Sequence, residues 1–305
     1  MRPPPACHAP RAAGGTRVAL QIDLVFLVLL AAVLHAIWNA VVKASGDRFL
    51  SFTAIRGTGT VLGVLALAVA PLPAPGSWPY LLASVAIHNF YYVVLLQAYR
   101  FGDLSHVYPL ARGIAPVTVA VLAAAFAGEV PHAGGLAGIA LVSAGIVSLM
   151  FAKGPPAVLG REGDGAKAVL LAVATGLFIA FYTVVDGIGI RAAGTSVGYI
   201  VWLNAGEGIP FMVWAVLTRR TELTPFMKAN WRRTTATGLL TIAAYGLVLF
   251  ALSQGAMAHV SALRETSVLF AAVIGTLLLK EPFGRVRVAA AVVIVAGVVL
   301  MQVAG

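Results

Sequence analysis

Ionisable side chains lie inside long apolar runs of the sequence, where a charge needs a chemical reason, and five of them are candidates for chemistry. Runs of about 20 apolar residues have the length that an α-helix needs to cross a bilayer. A charge at that depth costs about 2.5–3.5 kcal/mol on insertion scales. Three of the five are arginines, which could bind an anionic group or a carboxylate partner: Arg56, Arg112 and Arg264. The other two, Glu207 and Asp186, could exchange protons, because burial favours the protonated carboxylic acid.

Glu207 is the first candidate for proton coupling. It falls near the middle of a predicted span, and the surrounding residues 204–210 include two glycines and a proline that weaken a helix. Irregular backbone at mid-membrane is tolerated where it faces protein or a cavity, and broken helices often build ion and substrate sites. Asp186 competes for the role but lies closer to a helix end, where water can keep it ionised. The alternative for Glu207 is a structural ion pair with Arg56 or Arg264 that never changes protonation.

Polar and aromatic residues of several predicted spans are candidates for lining a substrate cavity. His35, Trp38 and Asn39 share one face of the first span at spacings i, i+3 and i+4. A polar face inside a membrane helix should look into the bundle or a water-filled cavity. Hydrogen bonds between helices are the alternative, above all for the tyrosines. With Glu207 beside them, the predicted lining residues are Trp38, Asn39, Arg56, His88, Tyr92, Arg112, Tyr182 and Arg264.

An internal repeat relates the two halves of the sequence. Three pairs of residues recur at a constant offset of 153: Tyr92 with Tyr245, Gly102 with Gly255, and His106 with His259. After a one-residue gap the offset is 152 for two charged pairs: Arg112 with Arg264, and Glu129 with Glu281. Charged residues are only 10% of the chain, so an arginine and a glutamate 17 residues apart in both copies indicate a repeat.

The repeated charges suggest ion pairs between the two halves. Arg112 and Glu129 cannot pair within one helix, because 17 residues span roughly 25 Å at about 1.5 Å each. In an inverted arrangement, Arg112 instead lies level with Glu281 in the membrane. Arg264 then lies level with Glu129. The hypothesis is that each arginine pairs with the glutamate of the other repeat.

The composition indicates an integral membrane protein. Hydrophobic residues make up 60% of the 305 residues, more than the interior of a soluble protein of this size could hold. The net charge of +10 favours basic loops that set membrane orientation over nucleic-acid binding. The single cysteine, Cys7, excludes a disulfide within the chain and suggests no cysteine-based metal site. No cofactor and no metal are expected.

The predicted fold is an all-α polytopic membrane protein with ten transmembrane helices in two inverted five-helix repeats. An odd number of spans per repeat makes the second copy enter the membrane from the opposite side, as in many secondary transporters. The predicted units are a tail over 1–18, a first repeat over 19–152, a linker over 153–166 and a second repeat over 167–305. The tail is expected to be disordered, or to precede the real start. The predicted spans are 20–42, 50–70, 80–99, 105–127, 133–152, 167–189, 196–217, 235–254, 259–279 and 286–303.

The loop charges predict an orientation. If the spans are right, most of the basic residues between them fall on one side of the membrane. The positive-inside bias then puts both chain termini outside the cytoplasm. This orientation depends on an even number of spans.

Two segments carry a family resemblance, GDLSHVYPLARGIAPVTVAVLAAAFAGEV and GAMAHVSALRETSVLFAAVIGTLLLKEPF. With the ten spans and the repeat, they resemble the EamA-type transporters of the drug/metabolite transporter superfamily, over roughly residues 20–303. The early segment HAIWNAVVKASGD also looks like one branch of that family. The resemblance implies a secondary carrier, often an exporter of amino acids and other small metabolites. Many family members are drawn with both termini in the cytoplasm, opposite to the orientation that the loop charges predict.

The predicted function is secondary active transport of a small metabolite, an amino acid or a similar solute, with export as the expected direction and protons as the candidate coupling ion. The closest rival is a flippase for an anionic lipid-linked sugar, whose head group would suit Arg56, Arg112 and Arg264. A membrane-embedded enzyme has little support, because the chain has no H-E-x-x-H and no Gly-rich phosphate loop. The expected location is the plasma (inner) membrane. The expected partners are the solute, the lipid bilayer and protons, with no nucleic acid; a monomer and a homodimer both fit.

Overall fold

The computed structural model describes residues 20–43, 45–101, 104–152, 164–279 and 284–304. Within these ranges the secondary structure is helical, with eleven α-helices, two short 3₁₀ turns and no strand. The predicted tail and most of the predicted linker lie outside the described residues. The helices are α1 Ile22–Lys43, α2 Arg48–Ala66, α3 Trp78–Phe101, α4 Leu104–Ala127, α5 Ala133–Ser148, α6 Asp164–Ala192, α7 Ser196–Glu207, α8 Ile209–Gln254, α9 Met257–Glu265, α10 Ser267–Leu279 and α11 Arg285–Val303.

Nine stretches of the described chain are long and apolar enough to cross a membrane. The outer surface agrees with this, since large apolar side chains such as Phe26, Leu65 and Phe126 are 67%, 68% and 69% exposed. One stretch, Ser196–Gln254, has 59 residues, whereas a single crossing needs about 20. Its helix α8 leaves helical geometry at Arg219, with φ −139° and ψ 34°. The predicted spans 196–217 and 235–254 both fall in this stretch, so the predicted count of ten requires it to cross twice.

Helices α5 and α11 pack so closely that glycine is required at the crossing. A Cβ added to Gly138 would lie 2.6 Å from the carbonyl oxygen of Gly297, and one added to Gly297 would lie 2.7 Å from that of Gly138. Seven residues further along α5, a Cβ on Gly145 would lie 3.2 Å from the carbonyl oxygen of Ala290, which is seven residues earlier in α11. The two helices therefore run antiparallel.

This crossing has the symmetry of the sequence repeat. At the repeat offset of 152, Gly138 corresponds to Ala290 and Gly145 corresponds to Gly297. The contact of Gly138 with Gly297 therefore corresponds to the contact of Gly145 with Ala290, and both are observed. Because α5 and α11 are the last helices of the two predicted repeats and run in opposite directions, their crossing supports the inverted relation.

Other helix contacts also occur in related pairs. Helix α3 packs along α6, and α1 packs along α8. Helix α4 packs along α6, and α1 packs along α9 and α10. In the predicted repeat, α1 corresponds to α6, α3 to the last part of α8, and α4 to α9 with α10. Each contact therefore has a counterpart, and the helices of the two halves interlock.

Two helix breaks distinguish the second half from the first. Helix α7 ends at Glu207 and α8 begins at Ile209, while α9 ends at Glu265 and α10 begins at Ser267. Each break thus leaves a glutamate as the last residue of a short helix. Gly208 has no room for a side chain, because a Cβ there would lie 2.5 Å from the carbonyl oxygen of Arg56. In the first half, α2 and α4 continue without a break.

Candidate functional site

Glu207, at the first break, is held in a buried ion pair. Its Oε2 pairs with Nη2 of Arg56, which lies on α2. Only 1% of the Glu207 side chain and 8% of the Arg56 side chain are exposed. Tyr92 on α3 donates its hydroxyl to Oε1 of Glu207 at 2.8 Å, and Nε2 of His88 lies 4.0 Å from the same oxygen. This is the structural alternative that the sequence left open, with Arg56 as the partner.

Polar side chains of the first half satisfy the backbone at this break. Asn89 donates to the carbonyl oxygen of Glu207 at 3.2 Å. The Thr60 hydroxyl accepts from the amide of Gly208 at 3.1 Å and lies 3.3 Å from the carbonyl oxygen of Asn204. Inside a membrane, freed backbone groups need such partners, because each unsatisfied group costs several kcal/mol. The break is therefore a built feature of the interior.

Glu265, at the second break, binds two arginines. Nε of Arg112, on α4, lies 2.6 Å from Oε2 of Glu265. Arg264 reaches Oε1 of Glu265 with Nε at 3.2 Å and with Nη2 at 3.1 Å. Arg112 also donates to the Ser267 hydroxyl at 3.1 Å. All three charged side chains are at least 97% buried, and together they carry one excess positive charge.

Sequence reasoning missed Glu265, although it is central to this cluster. At the repeat offset its counterpart is Gly113, so comparing the two copies did not mark it. Gly113 has no space for a side chain, since a Cβ there would lie 2.5 Å from Cγ2 of Val147. The usable signal was an acidic residue beside Arg264 in an otherwise apolar region.

The predicted ion pair between Arg264 and Glu129 is wrong. Glu129 pairs instead with Arg191 at the end of α6, and its Oε2 accepts from the amide of Met257 at 2.8 Å. The physical reason is depth: Glu129 lies just beyond α4, with 22% of its side chain exposed, whereas Arg264 is 3% exposed and meets Glu265. Glu281 lies outside the described residues, and the described partner of Arg112 is Glu265.

Asp186 is fully buried, with an exposed fraction of 0%. Tyr199 of α7 donates its hydroxyl to Oδ1 at 2.9 Å, and Tyr245 of α8 donates to Oδ2. No basic side chain of the described chain forms an ion pair with it. The expectation that water keeps Asp186 ionised is wrong, because α7 and α8 cover this part of α6. Gly189 makes this packing close: a Cβ there would lie 2.5 Å from the Tyr199 hydroxyl.

Aromatic rings lie between the charged groups. The ring of His88 stacks on Tyr182 with a centroid distance of 4.0 Å and an interplanar angle of 24°. Tyr245 meets His88 edge-on at 5.4 Å. Arg264 lies over the ring of Tyr182 at 5.8 Å, and Arg56 lies over Tyr92 at 5.4 Å. The aromatic layer thus contacts the arginine of each ion cluster.

Trp38 and Asn39 bond within their own helix. The indole Nε1 of Trp38 lies 3.2 Å from Nδ1 of His35, and Asn39 donates to the carbonyl oxygen of His35 at 2.9 Å. Nε2 of His35 in turn lies 3.0 Å from Nη2 of Arg112. The polar face of α1 therefore reaches the cluster around Glu265 through His35.

The predicted lining residues are close together but packed. All of them except Asn39 are buried, and they contact one another through the ion pairs, hydrogen bonds and rings described above. A small cavity of about 30 Å³ lies instead between α1, α2 and α8, where Val41, Ile55, Phe226, Asn230 and Thr237 are among its lining residues. The described structure therefore has a closed polar centre, with an opening beside it that the predicted residues do not line.

The fold and the buried centre define a class of protein, an integral multi-pass membrane protein with a charged and aromatic interior. Residues 166–303 match the sequence model of the EamA-like transporter family. The match covers the second predicted repeat and agrees with the resemblance to the EamA-type transporters of the drug/metabolite transporter superfamily, a family of transporters of small solutes.

Comparison with solved structures agrees on the fold. One crystal structure, described only as that of a protein, superposes with a TM-score of 0.76 and covers 92% of this chain and 98% of its own. Its sequence identity to this chain is 16%, so the likeness concerns the fold. No curated protein matches the chain.

Proposed function

We propose that this chain is a secondary active transporter of the plasma (inner) membrane that moves a small metabolite through a site between its two halves. The observation that carries the proposal is the pair of buried ion clusters at the helix breaks. Each joins an arginine of the first half to a glutamate of the second: Arg56 with Glu207, and Arg112 with Glu265. In the predicted repeat these clusters join corresponding helices, α2 with α7 and α4 with α9. Relative movement of the halves would therefore open or close both clusters.

The site chemistry supports a soluble metabolite over a lipid-linked sugar. The polar groups are surrounded by helices, and Arg56, Arg112 and Arg264 are all at most 7% exposed. A head group that flips while its tail stays in lipid needs charged residues along a lateral opening. The described arginines instead face carboxylates and tyrosine rings inside the bundle.

We assign proton coupling to Asp186 and a structural role to Glu207. Glu207 has a cation in direct contact, so its ionised form is compensated. Asp186 has only hydroxyl donors in direct contact, so taking up a proton removes a buried charge that no cation contacts. A group that binds and releases a proton during transport must be able to adopt both states in the bundle, and Asp186 meets this requirement better.

The test compares two isosteric variants in reconstituted vesicles. Asp186→Asn should abolish solute movement driven by a pH gradient while leaving exchange of labelled for unlabelled solute intact. Glu207→Gln should reduce both by a similar factor, together with the amount of folded protein. Gradient-driven transport that survives in Asp186→Asn would contradict the assignment. The solute is placed inside the vesicles in one experiment and outside in another, so the comparison also gives the direction of transport. The family resemblance favours export.

A further inference from the structure

The charges around Glu265 do not balance, and this determines what the site can bind. Arg112 and Arg264 both contact Glu265, and no second carboxylate of the described chain pairs with either arginine. His35 is assigned the neutral form, because its Nε2 lies 3.0 Å from Nη2 of Arg112 and an imidazolium there would be repelled by the guanidinium. The cluster therefore has a net charge of +1 in the membrane interior.

Asp186 is the group that offsets this charge. It is one helical turn from Thr183 on α6, and the Thr183 hydroxyl lies 3.5 Å from Nη2 of Arg264. Arg264 is also the basic residue whose charge acts on Asp186. With Arg56 neutralised by Glu207, the polar centre is neutral when Asp186 is ionised and carries +1 when Asp186 is protonated.

We propose that Arg112 and Arg264 bind the anionic group of the transported solute, a carboxylate or a phosphate, and that the anion binds most tightly when Asp186 is protonated. This inference rests on the proposed transport function and names its substrate class. An anion and a proton entering together keep the centre neutral, whereas an anion alone would leave an uncompensated negative charge in the membrane. One anion and one proton therefore cross in the same direction.

The surroundings suit an organic anion of modest size. Tyr182 lies under Arg264, and its other neighbours in the aromatic layer are Tyr91, His88 and Tyr245, with ring centroids at 5.5, 4.0 and 6.0 Å. Planar aromatic faces beside guanidinium groups provide an apolar contact for the carbon skeleton while the arginines hold the anion. A bare inorganic ion would leave these faces unused.

The pH dependence has to be separated from that of neighbouring groups. The titratable and charged side chains that face or act on Asp186 come from α3, α6, α7, α8 and α9: His88, Tyr92, Tyr182, Tyr199, Tyr245 and Arg264. Of these neighbours, His88 is the one whose free side chain titrates near neutral pH. The variant His88→Gln is therefore part of the test.

The test measures thermal stabilisation of the purified full chain by matched probes. Benzoate, acetate and inorganic phosphate are compared with benzamide and acetamide, the neutral isosteres of the two carboxylates. We expect at least one anion to stabilise the protein more than any amide does, with an affinity that rises as pH falls from about 8 to about 6. The limit for one linked proton is about tenfold per pH unit. Equal effects of anions and amides would overturn the proposal.

Charge variants locate the effect and keep the test independent of folding. Arg264→Gln should abolish anion stabilisation, and Arg264→Lys should retain part of it. Glu265→Gln raises the cluster's charge and should strengthen anion binding several-fold, a gain that misfolding cannot produce.

Asp186→Asn should bind the anion tightly at every pH, while His88→Gln should keep the wild-type pH dependence. Exposed Arg220→Gln is the control and should bind as wild type does. Anion binding that is unchanged in both Arg264→Gln and Glu265→Gln would overturn the assignment.

Transport in vesicles separates this inference from the proposed function. If anions, amides and amines all fail to cross, the proposed function is wrong. If solutes cross but amides or amines cross as fast as the matched anions, the function holds and the substrate class is wrong.

Discussion

At the scale of single residues, the role of each buried carboxyl group depends on whether a cation lies beside it. Glu207 contacts Arg56, and Glu265 contacts two arginines, whereas Asp186 contacts two tyrosine hydroxyls. We therefore propose two roles for the buried carboxyl groups. Where a guanidinium is in contact, the carboxylate holds helices together; where only hydroxyls are in contact, it can take up a proton.

The residue-scale prediction concerns the ion pair of Arg56 and Glu207. Removing one partner leaves a buried charge, which in general costs about 3–5 kcal/mol. We expect Glu207→Gln to lower the thermal midpoint of the purified protein strongly. The double variant Arg56→Gln with Glu207→Gln should recover a substantial part of the loss, because no charge is then left unpaired. If the double variant is less stable than either single variant, the pair is not the cause of the loss.

At the scale of helices, the crossing of α5 and α11 should be the site most sensitive to side-chain size. Gly297→Leu would force a side chain against the backbone of α5, and overpacking of this kind costs about 1–3 kcal/mol. The expected result is a lower thermal midpoint with unchanged membrane insertion. Gly76→Ala is the matched control, since no atom lies within 4 Å of an added Cβ there. Equal stability of the two variants would show that the helices do not cross this closely.

A second helix-scale prediction concerns the contact between Glu129 and Arg191. It ties the end of α6 to the end of α8 and the start of α9. Arg191 also donates to the carbonyl oxygens of Leu252 and Gly255, at 2.9 and 2.7 Å, and Glu129 accepts from the amide of Met257. We expect Arg191→Gln to loosen this side of the bundle. In a background with Cys7→Ser, a cysteine in place of buried Ser261 should then react faster with a water-soluble maleimide than in the parent. An unchanged rate would mean that the pair has no closing role.

The sequence predicted the helices better than the contacts between them. Seven of the ten predicted spans coincide with a described helix to within four residues, because apolar run length sets a membrane helix directly. The other three, 196–217, 235–254 and 259–279, fall on α7 to α10, where the helices break or continue at positions that the sequence did not predict. The positions of Arg56, Arg112 and Arg264 inside the bundle also followed from the sequence. The partner choice did not, since a shift of a few residues in depth decides whether Arg264 meets Glu129 or Glu265. The depth of a charged side chain in the membrane is set by the packing of particular side chains, as at Gly113. The apolar periodicity of the sequence does not predict this packing.

At the scale of the whole molecule, the two halves differ in what they contribute to the centre. The first half supplies Arg56 and Arg112 on continuous helices. The second half supplies the breaks, with Glu207 and Glu265 at the ends of short helices. In the proposed transport cycle, the inverted repeats would allow two related arrangements of the helices, one open to each side of the membrane, while the binding groups stay in one place.

Labelling of the natural cysteine, Cys7, tests the orientation of the protein in the membrane. The loop charges predict that both chain termini lie outside the cytoplasm, so Cys7 should react with a membrane-impermeant maleimide on intact cells. The family resemblance predicts the reverse, labelling only after the membrane is opened. Cys7→Ser is the control for labelling elsewhere. Labelling that requires opened membranes would show that the orientation predicted from the loop charges is wrong for this chain.

The most direct test of the central claim, that the halves open in turn around the buried charges, is to lock one side. Glu129 and Arg191 are both replaced by cysteine in the Cys7→Ser background, and the pair is cross-linked in reconstituted vesicles with a short bifunctional thiol reagent that a reductant can cleave. We expect cross-linking to stop solute flux and reduction to restore it, with no effect of the reagent on either single-cysteine protein. Flux that continues at the wild-type rate through fully cross-linked protein would contradict the account.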